Sequence, residues 1–222
     1  SLNAVRAICD ALREDVADFA NQLVQGVAEA LDDAETAADA RAVLAQAVAV
    51  APDAVEVREA VAADVPAIRG IYNAAVVEPA SACEDEPHSL KQREEWFVQF
   101  HRRNFPVLVA EQGGVVIGWG SLGPHQERAG FRFTGSVAVY VDAVFRRVGV
   151  GSLLLKALVV AGKARRLHCV VATIDSLNKP SLRLHERHGF TEVGTLRQAG
   201  CKQGEWRDVV YLQRLLDERS EP

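Results

Sequence analysis

V-Y-V-D-A-V-F-R-R-V-G-V-G-S-L-L-L, the stretch from Val139 to Leu155, decides the fold of this chain. Its first residues predict a buried strand, and the run after Gly149 predicts an apolar helix. Between them lies a loop with two arginines and two glycines. N–H groups at the start of a helix have no partner within the helix, and the helix dipole is positive there, so this arrangement is typical of an anion-binding turn. We expect the anion to be a diphosphate.

Alternating strands and helices surround this stretch from Val55 onward. Apolar alternation and turn residues predict seven strands, over 55–57, 107–111, 115–122, 133–141, 169–174, 191–196 and 209–215. Helices are predicted to begin near Asp64, at a capping box formed by Ser89 and Gln92, near Gly149 and near Pro180. A glycine pair at 113–114 predicts a hairpin turn. These elements indicate one α/β domain around a mixed sheet, which we assign to residues 53–222.

Residues 1–52 form a separate region that is rich in Ala, Asp, Glu and Val. Apolar residues recur there in steps of three and four, which predicts a long amphipathic helix; they are Val5, Ile8, Leu12, Val16, Phe19, Leu23, Val27 and Leu31. A second helix is predicted over 34–50, so that the region forms an N-terminal helical hairpin. Two interpretations stay open. The hairpin packs on the following domain or on its own copy in a homodimer, or it docks another protein.

Composition and charge exclude several classes of protein. The chain has 222 residues, of which 49% are hydrophobic and 25% are charged, as in soluble globular proteins. Its formal net charge of −5 is concentrated in the first 55 residues, which argues against general binding to nucleic acid. The sequence shows neither a membrane span nor a signal peptide, and its four cysteines lack metal-binding spacing. We therefore expect a cytoplasmic protein with reduced thiols and no metal ion. The absence of Met, even at position 1, suggests that residues are missing upstream.

The loop Arg146-Arg147-Val148-Gly149-Val150-Gly151 has the pattern R-x-x-G-x-G, and it lacks the G-x-G-x-x-G fingerprint and the G-K-S/T of a P-loop. It resembles the acetyl-CoA motif of GCN5-related N-acetyltransferases, the GNAT superfamily. The chain from about Val55 to Leu216 resembles the phosphinothricin and methionine sulfoximine acetyltransferase branch. Six ordered pieces carry this resemblance: V-R-E-A-V-A-A-D-V-P-A-I-R-G-I-Y-N-A-A-V (57–76), F-P-V-L-V-A-E (105–111), G-S-L-G-P (120–124), V-Y-V-D (139–142), N-K-P-S-L-R-L-H-E-R-H-G-F (178–190) and K-Q-G-E-W-R-D (202–208).

The resemblance implies a GNAT fold and an acetyl-CoA-dependent N-acetyltransferase. The acceptor would be the amino group of a small amine or amino-acid-like substrate, acetylated directly in a ternary complex. The backbone of Val139, Tyr140 and Val141 would pair with the pantetheine arm of acetyl-CoA. The diphosphate would be held by Arg146, Arg147, Val148, Gly149, Val150, Gly151 and Ser152, and the arm would also be bound by Asn178 and Ser181. For Asn178, a plain helix cap is the alternative interpretation.

The chemistry of such a transfer needs proton movements. An acceptor ammonium must lose a proton before it can attack a thioester, and an acid can protonate the departing thiolate. The resemblance assigns the acid to His185, for which a structural helix histidine is the alternative. It also implies a substrate-binding loop at Gly130, Phe131 and Arg132, and an acidic stretch near the acceptor that includes Glu84 and Glu86. For Arg132 the alternative is an ordinary surface arginine, and for the acidic residues it is a solvated loop.

The sequence departs from its relatives just before the central strand. Relatives typically have T-V-E-H-S-V-Y-V there, whereas this chain has T-G-S-V-A-V-Y-V. Ser136 therefore stands where a substrate-side carboxylate is expected, and Val137 stands where a histidine is expected. Either another group has taken over as the base, such as Glu84 or Glu86 acting through water, or activity is weak.

Two alternatives to an active enzyme remain open from the sequence. Loss of the expected base is also consistent with a CoA-binding regulatory module whose catalysis has decayed. The helical N-terminus is consistent with an interaction protein that acts through residues 1–52.

Overall fold

The computed structural model describes residues 55–80, 84–219 and 221, which form seven strands and four helices. The strands are β1 (Glu56–Glu59), β2 (Val107–Gln112), β3 (Val115–Pro124), β4 (Thr134–Val141), β5 (Cys169–Asp175), β6 (Thr191–Lys202) and β7 (Glu205–Leu215). The helices are α1 (Val65–Val77), α2 (Leu90–Arg102), α3 (Val150–Ala164) and α4 (Lys179–Arg187). None of these four helices has the length and apolar character needed to span a membrane. The predicted helical hairpin of residues 1–52 lies outside the described residues.

The strands form one mixed sheet in the order β1-β2-β3-β4-β5-β7-β6. Every neighbouring pair is antiparallel except β4 and β5, which are parallel. This confirms the predicted α/β class with a seven-stranded mixed sheet and flanking helices.

The parallel pair is short. β4 and β5 pair only from Thr134 with Cys169 to Ser136 with Val171. Beyond that point β5 stays paired with β7 as far as Asp175, while β4 stays paired with β3 as far as Val141. The two central strands therefore diverge, and β4 does not pair with β5 from 137 to 141.

The two faces of the sheet are covered by different helices. Along β4, Val137, Val139 and Val141 pack in the core that contains Leu154 and Leu158 of α3. Tyr140 packs on the opposite face, in the core formed by α1 and α2. Because side chains alternate along a strand, the residues at 136 and 138 share the α1–α2 face with Tyr140.

Most predicted elements are confirmed, and the last two strands are longer than predicted. The glycine pair at 113–114 forms the β2–β3 turn, and Ser89 and Gln92 form the capping box. β6 and β7 instead continue to a turn at Gln203 and Gly204, where φ is 52° and 79°. Positive φ at both central residues is the conformation of a hairpin turn. The extension was missed because β6 is exposed on nearly its whole length, so apolar alternation is weak there.

We expect close packing between β3 and α3 to make Gly120 intolerant of a side chain. A Cβ at this position would lie 2.7 Å from Leu158 Cδ1 and 2.9 Å from the Ala138 carbonyl oxygen. Gly120→Ala should therefore lower the free energy of unfolding by about 1–3 kcal/mol, as overpacking typically does. Gly130→Ala is the matched control, since nothing lies within 4 Å of its Cβ position. Urea denaturation of the two variants measures the difference, and equal midpoints would contradict this packing.

Candidate active site

The predicted anion-binding loop connects the end of β4 to α3. Arg147 and Gly149 have positive φ, 68° and 100°, which turns the chain into the helix. The N–H groups of Ser152 and Leu153 both donate to the Gly149 carbonyl oxygen, at 3.0 and 3.1 Å. In the described part of the chain no acceptor faces the N–H groups of Val150 and Gly151. These groups point out of the helix start, as an anion site requires.

The two glycines of the loop serve different purposes. Gly149 needs its left-handed backbone, and nothing lies within 4 Å of its Cβ position. At Gly151 a Cβ would lie 3.2 Å from Leu184 Cδ2 and 3.6 Å from Val141 Cγ2. Gly151 therefore lets α3 pack closely on α4 and β4, a reason that the sequence pattern did not reveal.

Several side chains of the loop already have protein partners. Arg146 donates to both carboxylate oxygens of Glu78, at 2.7 and 3.0 Å, and its Nε donates to the Val141 carbonyl oxygen at 3.0 Å. The Ser152 hydroxyl lies 2.5 Å from Nε2 of His188. Arg147 is exposed, as Arg146 is, but the Arg147 side chain makes no hydrogen bond or ion pair within the described residues. Arg146 thus ties the loop to β4 and α1, and Arg147 is the arginine better placed for a solvent-borne anion.

The predicted arm-binding residues lie on both sides of the opening between β4 and β5. Val139, Tyr140 and Val141 form the end of β4 that extends beyond its pairing with β5. Asn178 caps α4, which follows β5, because its side-chain oxygen accepts from the Ser181 N–H at 3.1 Å. The capping interpretation of Asn178 therefore holds, and a ligand contact from the same side chain stays a prediction.

His185 is buried in α4 and has one defined tautomer. Its Nδ1 lies 2.9 Å from the Ser181 carbonyl oxygen, which can only accept, so the ring proton is on Nδ1. Nε2 is buried without a hydrogen-bond partner among the described residues. Burial lowers the pKa of His185. A neutral ring with this tautomer has no proton at Nε2 to give, so the predicted acid must first accept one there.

The acidic stretch forms a network that the sequence did not predict. Arg93 can only donate, and its Nη2 lies 2.9 Å from Nδ1 of His88. The proton of His88 is therefore on Nε2, which donates to Glu84 Oε2 at 2.6 Å. Burial, then a hydrogen bond to Glu84, raises the pKa of Tyr72. Glu86 is exposed beside this chain of contacts.

Arg93 is the buried end of this network. It is 3% exposed, and its guanidinium lies 4.0 Å from the centre of the Tyr72 ring and 4.9 Å from that of Trp96. Burial lowers the pKa of Arg93. Tyr72 also packs edge-on against Tyr140, with ring centres 5.2 Å apart. The network therefore reaches the face of β4 that carries residues 136, 138 and 140.

Lys202 anchors the acidic stretch from the other side. Its side chain is 1% exposed, and its ammonium donates to the carbonyl oxygens of Val76 and Glu84. The Gln203 N–H donates to Asp85 Oδ1 at 2.9 Å. Lysine is almost never fully buried without partners, so this burial marks a defined contact between the β6–β7 turn and the acidic stretch. The motif K-Q-G-E-W-R-D contained this signal, but the sequence could not show what Lys202 contacts.

The predicted substrate loop lies at the start of β4. Arg132 is exposed, donates to the Ala129 carbonyl oxygen at 3.3 Å and covers the Phe133 ring at 4.5 Å. Gly130 and Phe131 belong to a short 3₁₀ turn. None of the contacts recorded for Arg132 joins it to the acidic stretch.

The departure at 136–137 has a clear structural outcome. Val137 is 9% exposed and lies in the core beneath α3, so it cannot face an acceptor on the opposite side. The Ser136 hydroxyl lies 3.0 Å from Nδ1 of His125, a residue for which the sequence contains no signal.

Among the described residues, no three or more His, Cys, Asp or Glu side chains come together as a metal site would require.

Comparison with known proteins agrees with this geometry. The Acetyltransferase (GNAT) family matches residues 67–190. The chain is 40% identical over 162 residues to an L-methionine sulfoximine/L-methionine sulfone acetyltransferase of Pseudomonas aeruginosa, covering 72% of this chain and 94% of that protein. Phosphinothricin N-acetyltransferase of Streptomyces viridochromogenes is 40% identical over 162 residues, covering 72% and 87%. An acetyltransferase structure from Salmonella typhimurium, solved with its cofactor acetyl-CoA, gives a TM-score of 0.74 at 36% identity and covers 77% of this chain and 98% of that chain. These findings confirm the resemblance carried by the motifs.

We expect Lys202→Met to release the acidic stretch. Methionine keeps the apolar stem but removes the ammonium that donates to Val76 and Glu84. The buried Val76 carbonyl oxygen then loses its donor, at a cost of about 1–3 kcal/mol. The free energy of unfolding should fall. Amide hydrogen exchange should accelerate at Gln203, whose N–H donates to Asp85 Oδ1, and at His88, whose N–H donates to Asn73 Oδ1. Lys163→Met on the exposed face of α3 is the control and should change neither quantity. Unchanged exchange at both amides would show that Lys202 does not hold this segment.

Proposed function

The chain belongs to the GNAT acetyltransferase family and is an acetyl-CoA-dependent N-acetyltransferase, and we propose that its acceptor is the amino group of a small amino acid or a close analogue. Relatives named for L-methionine sulfoximine and phosphinothricin match over most of their own length, which supports this acceptor class. A decayed CoA-binding module and an interaction protein are not favoured, because these relatives are named as acetyltransferases.

The observation that carries this proposal is the divergence of β4 and β5 next to the start of α3. We propose that acetyl-CoA lies along this opening. The backbone of Val139, Tyr140 and Val141, in the part of β4 that does not pair with β5, would hydrogen-bond its arm, as an added strand does at a sheet edge. The N–H groups at 149–151, together with Arg147, would hold its diphosphate. Acetyl-CoA supplies the acetyl group, which passes directly from sulfur to the acceptor nitrogen.

The acceptor would enter on the α1–α2 face of the sheet. The carboxylates of Glu84 and Glu86 are suited to bind its ammonium group, and Arg132 is suited to bind its carboxylate. Arg93 and His88 orient Glu84 through hydrogen bonds that run in one direction, from guanidinium to imidazole to carboxylate. This orientation makes Glu84 a defined binding group rather than a mobile surface side chain.

We propose that His185 carries a proton from the acceptor nitrogen to the departing sulfur. Its Nε2 has a lone pair, so it can take the proton that the nitrogen loses as the new bond forms. Because burial lowers the pKa of His185, the protonated ring gives that proton up readily to a thiolate. In this way His185 would first accept a proton at Nε2 and would then donate it, as the predicted acid.

The β6–β7 hairpin is our proposed homodimer surface. Nearly every residue of β6 is exposed, and the hairpin also exposes four large apolar side chains by 52–68%: Val193, Leu196, Trp206 and Leu215. An exposed strand with apolar side chains is an unfavourable surface unless it is covered. A protein partner for residues 1–52 stays a separate proposal, as does a cytoplasmic location.

The function is tested by turnover and by thermal stability together. With acetyl-CoA and a panel of L-amino acids, L-methionine sulfone, phosphinothricin and simple alkylamines, we expect release of free thiol with at least one amino acid-like acceptor. Acetyl-CoA alone should raise the melting temperature, because it binds the folded state. Stabilisation without turnover would favour a CoA-binding module, and neither effect would favour an interaction protein.

We expect Gly149→Glu to weaken acetyl-CoA binding at least tenfold, about 1.4 kcal/mol. The substitution puts a side chain with a negative charge beside the proposed diphosphate and forces a non-glycine residue to adopt a φ of 100°. Gly204→Glu is a matched control, since Gly204 also has positive φ and open space but lies at the β6–β7 turn. Calorimetry of the folded variants with acetyl-CoA measures the effect, and equal affinities would contradict the diphosphate assignment.

A further inference from the structure

His125 follows β3 directly and extends the ladder between β3 and β4. Its N–H donates to the Thr134 carbonyl oxygen at 3.3 Å, and Pro124 pairs with Gly135. His125 therefore lies opposite Thr134 and diagonally across from Ser136, on the same face of the sheet. This register explains why the imidazole Nδ1 lies 3.0 Å from the Ser136 hydroxyl oxygen.

The imidazole of His125 is held on two sides and remains reachable. The Phe131 ring packs against it, with ring centres 5.7 Å apart at 55°. Gly123 lies opposite Ser136, and the ring of Phe100 occupies the space that a Cβ at 123 would need. The side chain of His125 is half-buried, and its Nε2 makes no hydrogen bond within the described residues.

We propose that His125 is the general base of the acetyl transfer, with Ser136 as its positioning partner. This rests on the proposed function, because it supplies the base which that reaction needs. Ser136 stands where a carboxylate is expected, and its hydroxyl can accept a hydrogen bond from Nδ1–H. That bond leaves the lone pair on Nε2, the atom without a protein partner. The base has thus moved from β4 to the neighbouring end of β3.

The place is suitable for an acceptor nitrogen. Ser136, Ala138 and Tyr140 follow one another along one face of β4. Tyr140 lies in the part of β4 that does not pair with β5, which faces acetyl-CoA in our proposal. At about 3.3 Å per residue, a group above Ala138 lies within about 7 Å of both neighbours. The methyl group of Ala138 leaves this part of the face uncrowded. Imidazole is also the side chain that most readily exchanges protons near neutral pH.

Glu84 is less suited to be the base. Its carboxylate already accepts a hydrogen bond from His88 and interacts with Tyr72. A carboxylate that is already held by donors is well placed to bind an ammonium group by a charge-assisted hydrogen bond. Glu84 therefore binds the ammonium, and His125 removes its proton.

The protons and bonds balance as follows. The acceptor ammonium gives one proton to Nε2 of His125 and becomes a neutral amine. The amine lone pair forms a bond to the acetyl carbonyl carbon, and the carbon–sulfur bond breaks. The nitrogen then loses a second proton to His185, and His185 donates this proton to the departing thiolate of CoA. The His125 imidazolium then returns its proton to water, so each transfer releases one proton.

The test compares His125→Phe with His101→Phe, using full-length protein and the panel acceptor with the highest kcat/KM. Phenylalanine at 125 keeps a ring against Phe131 but removes the base, so kcat should fall by about 10²-fold or more. Calorimetric affinity for acetyl-CoA should stay within twofold. His101 is exposed on α2, and the same change there should leave kcat unaltered. Ser136→Ala should lower kcat by about tenfold or less, because it removes only the positioning bond.

Two further measurements separate a base from a structural residue. Added imidazole should restore part of the activity of His125→Ala, whereas it should not affect the wild type. In the wild type labelled with ¹³C-histidine, the ring signal that His125→Phe removes should shift when the acceptor is added to the CoA-bound protein. The chemical shift of the same signal in Ser136→Ala should differ from that in the wild type, because the hydrogen bond from Nδ1–H is lost. This measurement needs no turnover. Either variant, His125→Phe or His125→Ala, can be used to assign the His125 signal, so the measurement does not require that both of them fold.

The outcomes distinguish the two proposals. Wild-type turnover together with an undiminished kcat in His125→Phe would overturn the role of His125 and leave the proposed function standing. If the wild type is active but its His125 ring signal does not shift when the acceptor is added, the role of His125 is also overturned and the proposed function still stands. Absence of turnover with every panel acceptor would overturn the proposed function and the base with it.

Discussion

The divergence of β4 from β5 is the constraint on which the rest of the site depends. β5 keeps its hydrogen bonds to β7 through Asp175, so it cannot follow β4 beyond Ser136. A backbone edge left unpaired inside a sheet is costly unless another partner supplies the hydrogen bonds. In this fold the part of β4 that does not pair with β5 leads directly into the loop at the start of α3. A ligand with an amide-containing arm would supply hydrogen bonds to the strand, and its diphosphate would accept them from the N–H groups of the loop. Acetyl-CoA has these two groups.

In the proposed function, the sheet separates the side that binds the cofactor diphosphate from the side that binds the acceptor. Val137, Val139 and Val141 hold β4 against α3, and this packing fixes the loop that would bind the diphosphate. The opposite face carries the polar network of Arg93, His88 and Glu84. Burying an arginine without a carboxylate in direct contact is unfavourable, and the rings of Tyr72 and Trp96 offset this by cation–π contacts. His88 accepts from Arg93 and donates to Glu84, so the network gives the Glu84 carboxylate a defined position.

The substitutions before the central strand are easier to interpret in three dimensions than along the chain. Loss of a general base typically costs about 10²- to 10⁴-fold in rate, which made decay of activity a serious alternative. The hairpin register brings His125 to Ser136, so the face that lacks the expected carboxylate has an imidazole instead. Position 137 lies on the other face, in the core, so the valine there is a packing residue. The serine at position 136 suggests loss of catalysis when only the sequence is considered. In the structure it is consistent with a general base that lies at the end of β3 instead of on β4.

The sequence by itself determined the class of the fold, the order of its strands and helices along the chain, and the loop between Val141 and Val150. These features are local: apolar periodicity, the capping box and paired glycines act between residues close in sequence. Tertiary structure alone decided which side chains meet. His125 and Ser136 are 11 positions apart, Arg146 and Glu78 are 68 apart, and Lys202 and Glu84 are 118 apart. Such contacts depend on strand register and on packing across the sheet, and no periodicity in the sequence records them. The length of β6 belongs to the same group, because an exposed strand is specified by its pairing with β7 and not by burial of its own side chains.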